Sequence, residues 1–345
     1  MYAVVSVLTV LVLMAIALAG VAGAGLDVLF GVIIPYAALI TFFVGVAVRV
    51  MDWAGSPVPF RIPTTGGQQK TLPWIKQSKL DNPYTGGQAF LRMVLEVLTF
   101  RSLFRNTKLD FRQGPVIRYS SEKFLWLFAL MFHYAFLVVL LRHLRFFLTP
   151  TPEWVLGLEA LDGFFEVGLP QLLLSGVILF GAVGLLFTRR MWIPTVRYIS
   201  LPADYFPLFL IMFIALTGIA MRYLLRVDVT GIKELTMGLA TFHPTVPENL
   251  SPWFYCHLFL VCCLIAYFPF SKLMHLGGVF LSPTRNLANN SRAKRHINPW
   301  NPPDIKPHSY AAYEDDFREE MVEAGIPVDK ELEPAEGDPA EGEEE

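Results

Sequence analysis

Four of the seven histidines fall inside long apolar segments, where an ionisable side chain is costly and needs a partner. His133 and His143 lie in one segment, and His257 and His275 lie in another. A neutral imidazole leaves one ring nitrogen free to bind a metal or a proton. The chemistry open to these side chains is therefore metal ligation or proton transfer inside a membrane.

The spacing of the histidines favours metal ligation in two layers. Two of them are 10 residues apart, about 15 Å of helical rise, and the other two are 18 apart, about 27 Å or five whole turns. Because the two helices run in opposite directions, His133 pairs with His275, and His143 pairs with His257. We call these the inner pair and the outer pair. Each pair lies at one depth in the membrane.

Two facing neutral imidazoles are the axial ligands that a b-type haem iron takes. The sequence therefore predicts two haems b about 20 Å apart, as an electron path across the bilayer. Two other hypotheses stay open at this point: a proton transporter with a histidine relay, and a haem-free membrane anchor. The absence of CxxCH, P-loop and GxGxxG motifs excludes covalent c-type haem and nucleotide binding in this chain.

Composition places these residues in a membrane protein. Of 345 residues, 54% are hydrophobic and 17% charged, and the mean hydropathy is +0.46, whereas a soluble domain has about a quarter charged residues. The sequence predicts an all-α integral membrane protein, a six-helix bundle that holds the haems between the third and sixth spans. The six apolar stretches are 2–24, 27–50, 122–148, 165–188, 204–226 and 252–281.

Loop charge predicts the orientation and the division of the chain. The loop 53–121 carries 10 Lys and Arg against 3 Asp and Glu, while the alternate loops are acidic. Both termini are therefore expected in the cytoplasm, with the protein in the inner (cytoplasmic) membrane. An amphipathic helix near 87–105 suits either the membrane surface or a docking partner. The predicted regions are a transmembrane hairpin at 1–51, a basic cytoplasmic loop at 52–121, a dihaem bundle at 122–281 and an irregular cytoplasmic tail at 282–345, acidic after 301.

Four arginines break the positive-inside pattern, because they lie at the outer ends of the third and fifth spans. Snorkelling to the interface would explain them. Pairing with haem propionates or a quinone head group is the functional interpretation, and Arg222 and Arg226 are expected to share a helix face. The four are Arg142, Arg145, Arg222 and Arg226, with Tyr223 and His243 in the same region.

The intervals His133-x9-His143 and His257-x17-His275, with two spans between the helices, resemble the gamma (cytochrome b) subunit of respiratory nitrate reductase. The resemblance covers the last five spans, about 27–281. It implies that the outer pair binds a haem beside a quinol oxidation site, and that the inner pair binds the haem nearest a cytoplasmic partner.

An extra N-terminal helix, the basic loop and the acidic tail make the chain more similar to the membrane cytochrome b subunit of the sulfite-reduction-associated complex. The cytochrome b subunits of heterodisulfide reductase and nitrate reductase are the alternatives. The resemblance implies a respiratory subunit that passes electrons between the membrane quinone, with menaquinone expected, and a cytoplasmic iron–sulfur subunit similar to the heterodisulfide reductase catalytic subunit. It also implies a role in dissimilatory sulfur metabolism and a complex with further membrane and periplasmic subunits. Nucleic acid is not expected as a partner.

Overall fold

The structure, a computed structural model, is mostly helical. It describes residues 1–56, 62–112, 114, 116–164, 171–282, 284–294 and 306–331. The helices are α1 (Tyr2–Leu18), α2 (Ile34–Gly55), α3 (Gly86–Thr99), α4 (Arg101–Phe104), α5 (Lys123–His143), α6 (Glu153–Asp162), α7 (Leu174–Trp192), α8 (Pro194–Ile199), α9 (Pro202–Ala220), α10 (Val229–Ala240), α11 (Pro252–Tyr267), α12 (His275–Leu281) and α13 (Tyr310–Glu323). Two strands, β1 (Thr107–Arg112) and β2 (Val116–Ser121), form an antiparallel hairpin.

Among the described residues, six helices are long and apolar enough to cross a membrane, which confirms the predicted fold class of a multi-pass membrane bundle. Short π- or 3₁₀-helical turns lengthen several of them. The spans are Tyr2–Gly23, Leu29–Gly55, Lys123–Phe146, Leu174–Trp192, Pro202–Leu225 and Pro252–Phe270. The fourth helix begins at Leu174, later than the predicted start at 165, and 165–170 lie outside the described residues.

The predicted single helix over 252–281 is wrong, because the sixth span breaks before His275. The helix α11 ends at Tyr267, Phe268–Phe270 forms a tight turn, and α12 begins at His275. Pro269 lies in this turn, where it cannot donate the backbone hydrogen bond that a continuing helix needs. His257 and His275 therefore do not lie on one unbroken helix face.

Close packing against α2 holds this break. A Cβ atom built on Gly45 would lie 2.7 Å from Cγ and 2.8 Å from Cβ of the buried Pro269. Gly45 therefore lets α2 approach the break directly, and the break brings α12 back toward α5.

We expect Gly45→Leu to displace Pro269 and move His275 away from His133, because core overpacking shifts the backbone. Haem b content should fall from two to one per chain, with the outer haem kept. A pyridine haemochrome assay measures this loss. Gly55→Leu on the same helix is the matched control, since a Cβ there meets nothing within 4 Å. Full haem content in Gly45→Leu would contradict the positioning role of this contact.

The basic loop folds onto the bundle next to the inner pair. The predicted helix near 87–105 is confirmed as α3 and α4, with a break at Phe100, whose φ of 50° is left-handed. Tyr134 donates a hydrogen bond to the Leu98 carbonyl at 2.8 Å, and Trp126 donates one to the Thr99 carbonyl at 2.7 Å. These bonds fasten the loop to α5.

Ion pairs hold the basic loop together and join it to the segment 284–290. Asp81 accepts hydrogen bonds from Arg101, at 2.6 Å, and from Arg105, and these guanidinium groups hold the pKa of Asp81 below its usual range. Arg285 pairs with Glu96 at 3.1 Å.

The C-terminal unit, Ser291–Glu345, contains α13 among its described residues, so the prediction of an irregular tail is wrong there. The Ser309 hydroxyl caps this helix by accepting from the Ala312 amide. The Glu314 carboxylate accepts hydrogen bonds from the backbone amides of Asp329 and Lys330, both at 2.8 Å. These contacts fold the chain after the helix back onto it.

Candidate functional site

The structure brings the four membrane histidines together in two pairs. His133 and His143 come from α5, His257 comes from α11 and His275 begins α12. In the inner pair the ring centroids are 6.0 Å apart and the ring planes cross at 84°. In the outer pair the centroids are 6.5 Å apart and the planes lie within 11° of parallel.

These separations fit a metal ion held between the rings. An imidazole nitrogen lies about 2 Å from a metal that it coordinates, and the ring centroid lies about 1 Å farther away. Two imidazoles on opposite sides of one ion therefore have centroids about 6 Å apart. Both pairs match this value, which also lies within the range of about 4.5–7 Å that packed aromatic rings adopt.

The other ring nitrogen of each histidine is already engaged. The acceptors of the Nδ1 hydrogen bonds are the Ala129 carbonyl for His133 at 2.7 Å, the Val139 carbonyl for His143 at 2.7 Å, the Lys272 carbonyl for His275 at 2.8 Å and the Thr217 hydroxyl for His257 at 2.9 Å. Metal-bound histidines usually donate their second N–H in this way, which fixes the tautomer and the ring orientation. Each Nε2 then carries the lone pair that a haem iron requires.

Each pair offers two histidine ligands and no third ligating side chain among the described residues. Within the described parts of the chain, no group of three or more His, Cys, Asp and Glu side chains could hold a metal ion. Two histidines per layer, without a third ligand, are what an axial site on a planar macrocycle needs. The donor set therefore fits haem better than a free zinc or iron ion.

The ring planes give a spectroscopic expectation. Low-spin ferric haem with two near-perpendicular imidazoles has a larger g anisotropy than haem with two near-parallel imidazoles. We therefore expect two low-spin EPR signals, of which the inner pair gives the larger gmax. His257→Ala should remove the less anisotropic signal, and His275→Ala should remove the other. Loss of the opposite signal in either variant would contradict these ring orientations.

Aromatic side chains pack around the inner pair. Phe100 and Phe132 each place a ring edge-on to His133, with centroids 4.9 Å away. Phe100 holds the left-handed conformation that a bulky residue seldom adopts, and such strain persists where the surroundings enforce it. The break between α3 and α4 therefore brings an aromatic ring of the loop between the second and third spans against His133.

Two of the predicted arginines are already paired with carboxylates. The Arg142 Nε lies 2.8 Å from Oδ2 of Asp162, and Arg145 contacts Glu159 at 2.5 Å. Asp162 is 9% exposed and also accepts hydrogen bonds from the Ser175 amide and hydroxyl at 2.7 and 2.6 Å. This cluster joins α5, α6 and α7 beside the outer pair.

The other two arginines differ from each other. Arg222 reaches the Gln171 carbonyl at 3.4 Å, and its Nε is buried without a hydrogen-bond partner among the residues that the structure describes. Tyr223 contacts the same carbonyl at 3.2 Å. Arg226 is exposed, with a left-handed φ of 47° after a π-helical turn. The expectation that Arg222 and Arg226 share a helix face is therefore wrong. His243 is exposed, and its Nδ1 contacts the Thr241 carbonyl at 2.8 Å.

Three site residues escaped the sequence reasoning: Asp162, Ser175 and Thr217. A signal existed for the first of them. Arg142 and Arg145 are three residues apart, and Glu159 and Asp162 are also three apart, which places each pair on one helix face. Glu159 and Asp162 were interpreted only as part of an acidic loop, so their match to the spacing of Arg142 and Arg145 was missed. No local pattern marks Ser175 or Thr217, because their roles come from contacts between helices.

A bundle of membrane-spanning helices with two paired-histidine layers defines a class of membrane cytochromes. The sequence profile described as "Nitrate reductase gamma subunit" matches residues 94–294, which include the last four spans and all four paired histidines. The chain belongs to the nitrate reductase gamma subunit family.

The similar proteins are more specific. The chain is 45% identical over 287 residues to the "Hdr-like menaquinol oxidoreductase cytochrome b-like subunit" of Archaeoglobus fulgidus, covering 81% of this chain and 86% of that one. It is 43% identical to the protein of the same description from Archaeoglobus profundus, covering 78% and 82%. It is 24% identical to the nitrate reductase gamma chain of Bacillus subtilis, covering 51% and 87%.

Proposed function

We propose that this chain is the membrane cytochrome b subunit of a menaquinol oxidoreductase and holds two haems b, one in each histidine pair. The observation that carries this proposal is the meeting of the four membrane histidines in two pairs, with ring centroids 6.0 and 6.5 Å apart and each Nδ1 hydrogen-bonded within the protein. The description of the Archaeoglobus relatives supports the quinone assignment.

Haem supplies one-electron transfer when it is bound, and the chain does the rest. His133 and His275 would hold the inner haem, and His143 and His257 the outer haem. Each Nδ1 hydrogen bond would fix the tautomer of its ring and leave the Nε2 lone pair free to bind the iron. Phe100 and Phe132 would support the ring of His133, which they contact edge-on.

We place the quinone head group beside the outer pair, near Arg222 and Tyr223. The buried Nε of Arg222 has a proton to donate, and a quinone oxygen or a haem propionate could accept it. Arg142 and Arg145 would act indirectly, through their carboxylate partners, and the exposed Arg226 is the weakest of the four.

On the opposite face we propose a cytoplasmic iron–sulfur partner similar to the catalytic subunit of heterodisulfide reductase, within a complex of dissimilatory sulfur metabolism. The basic loop with α3 and α4 lies beside the inner pair and would give that partner its docking surface. This orientation places both termini in the cytoplasm and the chain in the inner membrane.

A quinol-reduction experiment tests the proposal. Purified, oxidised protein in vesicles is mixed with a reduced menaquinone analogue, and the haem α-band is followed. We expect rapid reduction of the haem, with slower reduction in Arg222→Met. Arg226→Met is the control, since its side chain is exposed. Haem that dithionite reduces but that exchanges electrons with neither quinol nor quinone would overturn the quinone assignment.

A further inference from the structure

The four histidines are not held alike. Three of them reach a backbone carbonyl of their own chain segment, three or four residues earlier. His257 instead contacts the Thr217 hydroxyl of another span, at 2.9 Å. Thr217, in α9, is 2% exposed, so bulk water does not reach this bond. The outer pair is therefore the one whose orientation depends on a side chain.

The donor and acceptor roles follow from counting protons. The Thr217 Oγ1 lies 2.8 Å from the Phe213 carbonyl and 3.0 Å from the Ile214 carbonyl, and both carbonyls can only accept. The single hydroxyl proton is donated to these carbonyls. Thr217 therefore accepts from His257, whose proton lies on Nδ1 and whose lone pair lies on Nε2.

The next residue of α9 completes the contact. A Cβ atom on Gly218 would lie 3.4 Å from Cε1 of His257 and 3.9 Å from its Nδ1. The edge of the imidazole that carries Cε1 and Nδ1 thus approaches α9 at Gly218, and the ring plane lies within 11° of that of His143. Thr217 and Gly218 together position His257, the proposed ligand of the outer haem.

We propose that Thr217 is a positioning residue that fixes the tautomer and ring plane of His257 and thereby lowers the reduction potential of the outer haem alone. The inference rests on the proposed function. A hydrogen bond accepted from Nδ1–H makes the imidazole a stronger donor to iron, which favours the oxidised form. The other three histidines have backbone acceptors, which no side-chain substitution removes.

Potentiometric titration of both haems in the purified full-length protein tests this role. Thr217→Val keeps the shape and removes the acceptor. We expect the outer haem's potential to rise and the inner haem's potential to stay unchanged, with the outer EPR signal altered. Thr217→Ser should restore both outer values. Thr41→Val is the matched control, because Thr41 makes the same bond to its own helix, to the Ala37 carbonyl at 2.8 Å, without a histidine.

The outcomes separate this role from the proposed function. Absence of haem in the unmodified protein would overturn the proposed function. Two haems with unchanged potentials in Thr217→Val would overturn only the role of Thr217. Selective loss of the outer haem would support the role. If Thr217→Val does not fold, Thr217→Cys keeps the packing with a weak acceptor, and an unchanged outer potential there overturns the proposal.

Discussion

Replacing His143 with Ala is expected to halve the haem b content, from two haems per chain to one. Its ring faces His257 across 6.5 Å, and the inner pair lies in a separate layer with its own hydrogen bonds. Loss of one axial ligand should therefore release only the outer haem. Pyridine haemochrome quantification measures the loss, and EPR identifies the haem that remains.

The matched control is His243→Ala, which removes an exposed histidine that belongs to neither pair. It should keep both haems. His275→Ala should also leave one haem, but the complementary one. If His143→Ala and His275→Ala lost the same haem, or if either kept both, the pairing would be contradicted.

The second large effect, a loss of stability, is expected from Asp162→Ala, because this change leaves the buried guanidinium of Arg142 without its carboxylate partner. Arg142 contacts Asp162 at 2.8 Å, and the same carboxylate accepts two hydrogen bonds from Ser175. Removing one partner of a buried ion pair costs about 3–5 kcal/mol, because the remaining charge stays uncompensated. We expect a clearly lower unfolding temperature in detergent, measured by thermal denaturation.

The double variant Arg142→Met with Asp162→Leu distinguishes a structural pair from a haem-binding arginine. It removes both charges, so the part of the loss that comes from the uncompensated charge should return, whereas the Ser175 amide and hydroxyl still lack their acceptor. The spectrum of the outer haem should then be unchanged. An altered outer-haem potential in the stable double variant would show that Arg142 acts on the haem itself.

The antiparallel order of the two spans was sufficient to predict which histidines meet, although the unbroken helix assumed between His257 and His275 is wrong. Four costly side chains on two antiparallel spans leave few arrangements, and their intervals match histidines at two depths. The break at Phe268–Phe270 was not predicted, although Pro269 was a signal for it. Its position depends on the close approach of Gly45, and contacts between distant segments are not visible in local patterns.

The surroundings of the histidines were less predictable for the same reason. Arginine positions could be read from the sequence, but the partners of Arg142 and Arg145 lie on α6, which folds back against α5. The hairpin of β1 and β2 and the helix α13 were missed because charged residues obscure their patterns. Thr217 reaches His257 only through the packing of α9 on α11.

The central claim is that each histidine pair holds one haem b. A dithionite-reduced minus oxidised spectrum of the purified membrane protein, with pyridine haemochrome quantification, tests it most directly. We predict a b-type α-band and two haems per chain. A folded protein that contains no haem, or a single haem that survives replacement of His143 and of His133 alike, would contradict it.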